Sequence, residues 1–123
     1  MAITGIRSFH YPVNRISESK KFYIEALGFK LAYEQPGWIA LEMSGVQVAL
    51  HPEEYEIPRI PRDAHGAHAG GCLTLASDNV PEDRKKLETY GAKILGEADE
   101  PWGHMLTFED PDGNVLKLMR AKY

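Results

Sequence analysis

Asp110-Pro111-Asp112-Gly113-Asn114, followed by Val115-Leu116-Lys117-Leu118-Met119, reads as a tight turn feeding a short apolar strand. Proline and glycine at such places set the turn backbone. An equivalent unit stands earlier, where Ser44-Gly45 precedes Val46-Gln47-Val48-Ala49-Leu50-His51. Outward from these two hairpins the copies keep matching. Trp38-Ile39-Ala40-Leu41-Glu42 corresponds to His104-Met105-Leu106-Thr107-Phe108, and Phe29-Lys30-Leu31-Ala32-Tyr33 to Ala92-Lys93-Ile94-Leu95. Before each set lies a helical stretch, opened by Ser17-Glu18-Ser19 and closed by Gly28, or opened by Asp78-Asn79-Val80-Pro81 and closed by Gly91. Ser, Asp or Asn accepts free N–H groups of a first helical turn, Pro fits its start, and Gly adopts the left-handed conformation past its end. The chain is therefore strand, helix and three strands written twice, over about residues 3–51 and 70–120. An α+β fold of two βαβββ modules is predicted.

Residues 52–69 join the modules, and their prolines and glycines predict a linker rather than a regular element. His65 and His68 have a spacing that would suit two metal ligands on one helix. Their glycine and linker setting denies them that helix, so they read as part of a polar segment. With 123 residues, 43% of them hydrophobic, the chain suits one domain made of two modules; two separate domains would each have too little interior. A net charge of −4 and a pI near 5.7 give no basic footprint for nucleic acid. No stretch approaches the length of a membrane span, and the N-terminal residues lack the apolar core of a signal peptide, so a cytoplasmic protein is expected. Cys72 is the only cysteine, which rules out an internal disulfide, and its apolar strand favours a packed thiol.

Phe22-Tyr23 followed by Leu27-Gly28-Phe29, the glycines Gly70-Gly71 before a strand, Pro101-Trp102-Gly103 and the Asp110–Asn114 turn together resemble the vicinal oxygen chelate superfamily. That group contains glyoxalases, extradiol dioxygenases, fosfomycin-modifying enzymes and bleomycin-binding proteins. The resemblance covers almost the whole chain. It implies curved mixed sheets around a ligand cup, helices outside, and a homodimer as the common assembly. Fold alone does not choose among such chemistries.

Alternation along each strand predicts which side chains face away from the helices. Val46, Val48 and Leu50 form one packing set, Leu116 and Leu118 another, Leu73 and Leu75 a third, and Phe9, Tyr11 and Val13 a fourth. Gln47, Ala49 and His51 then face the cup, as do Val115, Lys117 and Met119; Cys72, Thr74 and Ala76; and Ser8 and His10. The resemblance implies metal ligands at inward places on the first, fourth, fifth and eighth strands. Landmark matching puts Ser8, Ala49, Cys72 and Lys117 there. A first-row metal in such a site needs imidazole or carboxylate donors converging at about 2.0–2.2 Å. This set contains neither, so no metal and no other cofactor is expected at the family's standard site.

His10 and His51 each lie two residues beyond a lost ligand position, and neighbouring strands would bring them together. They suit a displaced divalent metal or an acid–base pair, although two histidines bonded to neighbours or ligand are the simpler reading. Lys117 suits a ligand anion or, through desolvation, a low-pKa nucleophile, although a pairing with Glu42 or Glu109 is the simpler reading, with anion binding between the two. Trp38 and Trp102 offer flat apolar surfaces near the hairpins, and His104 falls nearer the helix side. The leading expectation is a metal-free small-molecule binding protein, taking a hydrophobic metabolite or antibiotic through His10, Trp38, Gln47, His51, Thr74, Trp102, Lys117 and Met119. The alternative is an enzyme, a lyase or dioxygenase using a displaced metal, or a metal-free catalyst with His10 and His51 as its acid–base pair. A module serving only to associate with other chains is the third reading.

Overall fold

The computed structural model describes residues 2–52 and 71–123. The expected linker, with His65 and His68, falls almost wholly outside them. The chain divides into two compact units, Met1–Glu54 and Tyr55–Tyr123.

In the first unit, β1 (Phe9–Pro12) leads to α1 (Ile16–Lys21), which runs directly into a π-helical turn (Phe22–Ala26). Three strands follow, β2 (Lys30–Gln35), β3 (Trp38–Met43) and β4 (Val46–His51). They form a mixed sheet in the order β1-β4-β3-β2, with β1 parallel to β4 and the other pairs antiparallel. The second unit repeats this plan with β5 (Leu73–Ala76), α2 (Val80–Thr89), β6 (Lys93–Glu100), β7 (Gly103–Glu109) and β8 (Val115–Ala121). Its order is β5-β8-β7-β6, with β5 parallel to β8. A parallel pair cannot be joined by a tight turn, which is why a helix stands after the first strand of each unit. The α+β fold of two βαβββ modules is the one read from the repeat.

The helix ends show how local chemistry and backbone geometry share control. Asn79 caps α2 as expected: its side-chain oxygen accepts the Glu82 N–H at 3.1 Å, and Pro81 sits in the first turn. Gly91, at φ +83°, ends it, with the Ala92 N–H reaching back to the Leu87 carbonyl at 3.0 Å. Helix α1 departs from expectation. Its cap position is Arg15, with no side-chain cap, and Ser17 and Ser19 lie inside the helix. The Arg15 carbonyl accepts the Ser19 N–H at 2.9 Å, so the first turn closes earlier than the serines suggested. At the other end the Leu27 N–H bonds to the Phe22 carbonyl at 3.2 Å, the wider spacing of a π turn, before Gly28 turns left-handed at φ +85°.

Strand alternation fixes the cores. In the first unit Ile39, Leu41, Val48 and Leu50 are buried on one sheet face, together with Phe22 and Tyr23 from the helical segment. In the second, Leu106, Phe108, Leu116 and Leu118 are buried with Val80 and Leu87 of α2. Val46 keeps the parity of its packing set but stays exposed at the strand's open end. Strand β6 runs to Glu100, well past the predicted Leu95. Gly96, Glu97 and Asp99 are poor strand formers, but the ladder with β7, bulged at Leu95, is unbroken from Gly96 to Glu100 and holds them, pairing Glu97 with Leu106 and Asp99 with His104.

Candidate functional site

The first unit places four of the predicted residues on the sheet face opposite its core. Parallel pairing sets His10 beside Ala49, and Ala49 lies across from Ala40. Both alanines are fully buried, and their short side chains leave room for rings from adjacent positions. The His10 ring meets Trp38 edge-on at 5.0 Å and His51 edge-on at 5.4 Å. Trp38 and His51 stack at 5.7 Å with only 15° between their planes. Gln47 shares this face beside Glu42.

Hydrogen bonds orient the cluster. Trp38 Nε1 donates to Tyr33 Oη at 3.2 Å. The Pro52 carbonyl, which only accepts, lies 2.9 Å from His51 Nδ1, so the proton sits on Nδ1 and neutral His51 keeps Nε2 as an acceptor. His10 Nε2 lies 2.6 Å from Ser8 Oγ. Loss of hydration, and then the nearby His51 charge, pushes the His10 pKa below its ordinary value of 6.5. His10 is nonetheless largely exposed, so the desolvation is partial. The arrangement favours a neutral imidazole beside an indole face, suited to hydrogen bonding and aromatic packing.

The second unit carries the other predicted residues. Lys117 on central strand β8 is flanked by Thr74 on β5 and Thr107 on β7, and the next row places Ala76, Met119 and Met105 side by side. All lie on the face opposite Leu116 and Leu118, as alternation required. The expected pairing of Lys117 with Glu109 is not found: among the described residues of the second unit no carboxylate lies within ion-pair distance of Lys117. Within the first unit Glu42, the other expected partner, accepts the Gly45 N–H at 2.7 Å. Trp102 lies exposed in the tight turn between β6 and β7.

His104 shares the parity of Leu106 and Phe108 and so belongs to the helix side. Its Nε2 is 3.4 Å from a Glu97 oxygen and buried without an aligned hydrogen bond. Arg84 of α2 binds Glu88 at 2.9 Å and Glu97 at 3.3 Å. These contacts tie α2 to its sheet.

Sequence reasoning missed a groove of about 500 Å3 beside α1, lined by Ile16, Ser17, Lys20, Glu34, Pro36 and Ile39 among others. Only contacts between α1 and the β2–β3 hairpin create it, and no local motif announces it. Lys20 and Glu34 pair there at 2.8 Å, which neutralises its charged groups.

The four places that the resemblance assigned to metal ligands do not fit a divalent ion. Ala49 has no donor atom, a serine hydroxyl is a poor donor, a lysine ammonium repels a cation, and Cys72 leaves a single sulfur where three or four donors are needed. Among the described residues, no three of His, Cys, Asp and Glu converge as a metal-holding group. Also among the described residues, no helix is long and apolar enough to cross a membrane.

Residues 5–118 match the profile of the Glyoxalase/Bleomycin resistance protein/Dioxygenase superfamily. The chain is similar to the crystal structure of TnmS3, an antibiotic binding protein from Streptomyces sp. CB03234, with 31% identity, 99% of each chain covered and a TM-score of 0.69. It is also similar to a glyoxalase/bleomycin resistance protein from the same organism, with 31% identity, 89% of this chain and 95% of that one covered, and a TM-score of 0.66. Lactoylglutathione lyase from Agrobacterium tumefaciens shares the fold at 18% identity, with 98% and 96% covered and a TM-score of 0.71. The doubled βαβββ plan, its turns and these matches agree, and the chain belongs to the Glyoxalase/Bleomycin resistance protein/Dioxygenase superfamily.

Proposed function

We propose that this protein binds a hydrophobic small molecule, an antibiotic or a metabolite, without a metal ion and without transforming it. The observation that carries this reading is the donor chemistry of Ser8, Ala49, Cys72 and Lys117, which offers a cation neither imidazole nor carboxylate. The likeness to an antibiotic binding protein along the full chain supports the same reading. Trp38 with His10 and His51 supplies an aromatic surface edged by polar nitrogens, the mix expected where a largely apolar ligand is held by a few oriented hydrogen bonds. Gln47, Thr74, Trp102, Lys117 and Met119 complete the proposed binding residues. A homodimer is part of the proposal, to be checked by light scattering.

Tryptophan fluorescence tests the reading directly. Titration with a panel of aromatic antibiotics is expected to give saturable quenching by at least one compound, reduced in Trp38→Phe, with the compound recovered unchanged. Elemental analysis of protein purified without chelator is expected to find far less than one metal per chain. One equivalent of metal, lost when His10 and His51 are both changed to alanine, would overturn the metal-free reading.

A second reading, acid–base catalysis, has one observation in its favour: the two imidazole rings are 5.4 Å apart and His10 has a lowered proton affinity. It requires turnover that persists in chelator and disappears in His51→Ala.

A further inference from the structure

We propose that Lys117, with Thr74 and Thr107, forms an anion-holding subsite, so that the ligand of this protein carries a carboxylate, sulfonate or phosphate group. The inference rests on the ligand-binding reading above and deepens it by naming the chemical class of the ligand.

Lys117 sits in mid-sheet on β8, with a threonine directly beside it on each neighbouring strand. Directly paired residues hold their Cβ atoms about 4.5–5.5 Å apart, so two hydroxyls stand within side-chain reach of the ammonium. Beyond Thr107 the row ends in Gly96, which has no side chain to cover it. Glu109 and Cys72 share this face, yet among the described residues of its own unit Lys117 forms no ion pair with a carboxylate. An ammonium with three donors and two adjacent hydroxyls is a complementary surface for anionic oxygen. Met119 and Met105 in the next row are soft and apolar, fitted to the hydrocarbon part of the same molecule. The net charge of −4 disfavours anions in general, so selectivity for an anion must arise locally.

Two fluorescent probes separate this proposal from the one beneath it: 8-anilinonaphthalene-1-sulfonate, and its uncharged counterpart N-phenyl-1-naphthylamine. The full chain is expected to bind the sulfonate more tightly. Lys117→Met should weaken the sulfonate about tenfold and leave the neutral probe within twofold, while Lys117→Arg retains the preference. Lys85→Met, a change on α2 away from this face, should alter neither. If Lys117→Met proves unfolded by circular dichroism, Lys117→Gln makes the same comparison. Equal effects on both probes, or none on the sulfonate, would overturn the anion subsite and leave the binding reading standing. Failure of both probes to bind the unmodified chain would overturn both readings.

Discussion

At the scale of single residues, the consequential pair is His10 and His51. Each was recognisable as a polar group on an apolar strand, and alternation gave their common face. Their interaction came from parallel pairing of β1 with β4, which sets Pro12 beside His51 and His10 beside Ala49. Desolvation, and then the nearby His51 charge, disfavours protonation of His10, and the sign of the effect is fixed. Because the folded state lowers the His10 pKa, the unfolded chain binds a proton more readily there, and His10 makes folding less favourable as pH falls below about 6.5. Histidine NMR titration is expected to find His10 below 6.5 and to find it moving upward in His51→Ala. A His10 value unchanged by that substitution would show that His51 exerts no electrostatic influence. Ser8, which the resemblance puts at a metal-ligand place, lies with its hydroxyl against His10 Nε2.

Among elements, the two helices carry unequal sequence signals and reward them unequally. Asn79 caps α2 with its own side chain, so Asn79→Ala should cost about 1 kcal/mol in urea unfolding. Ser17→Ala should cost much less, since α1 has no side-chain cap to lose. The turn before β8 depends on Asp110, a buried residue whose carboxylate accepts from the Asp112 N–H, the Asn114 N–H and the Asn114 side-chain amide at 2.9–3.0 Å. Asp110→Ala strands these donors and should destabilise the protein by about 2–3 kcal/mol, because groups deprived of partners keep their desolvation cost. A loss below about 0.5 kcal/mol would mean that water or a rearranged turn satisfies them. The motif was legible as a turn, but the burial of its first aspartate was not, since it depends on what packs around the loop.

Over the whole molecule, stability rests on two apolar faces rather than on charge. Leu50 and Leu116 are completely buried in the first and second units. Leu50→Ala and Leu116→Ala should each cost about 2–5 kcal/mol. The ion pairs Arg15–Glu18 and Lys21–Glu25 are exposed, and their removal should shift stability by less than about 0.5 kcal/mol. Chemical denaturation of these variants compares the two contributions, and a larger loss from the surface pairs would reverse the ranking.

The doubled module, the core face of its central strands and the poor chemistry at the inherited metal positions were all determined by the sequence. Each is encoded in period-two alternation, turn residues or donor type, which act over a few residues. Tertiary structure alone decided that Trp38 stacks on His51 and that a groove opens beside α1. These outcomes depend on register between strands and on contacts between elements, quantities to which no local pattern responds.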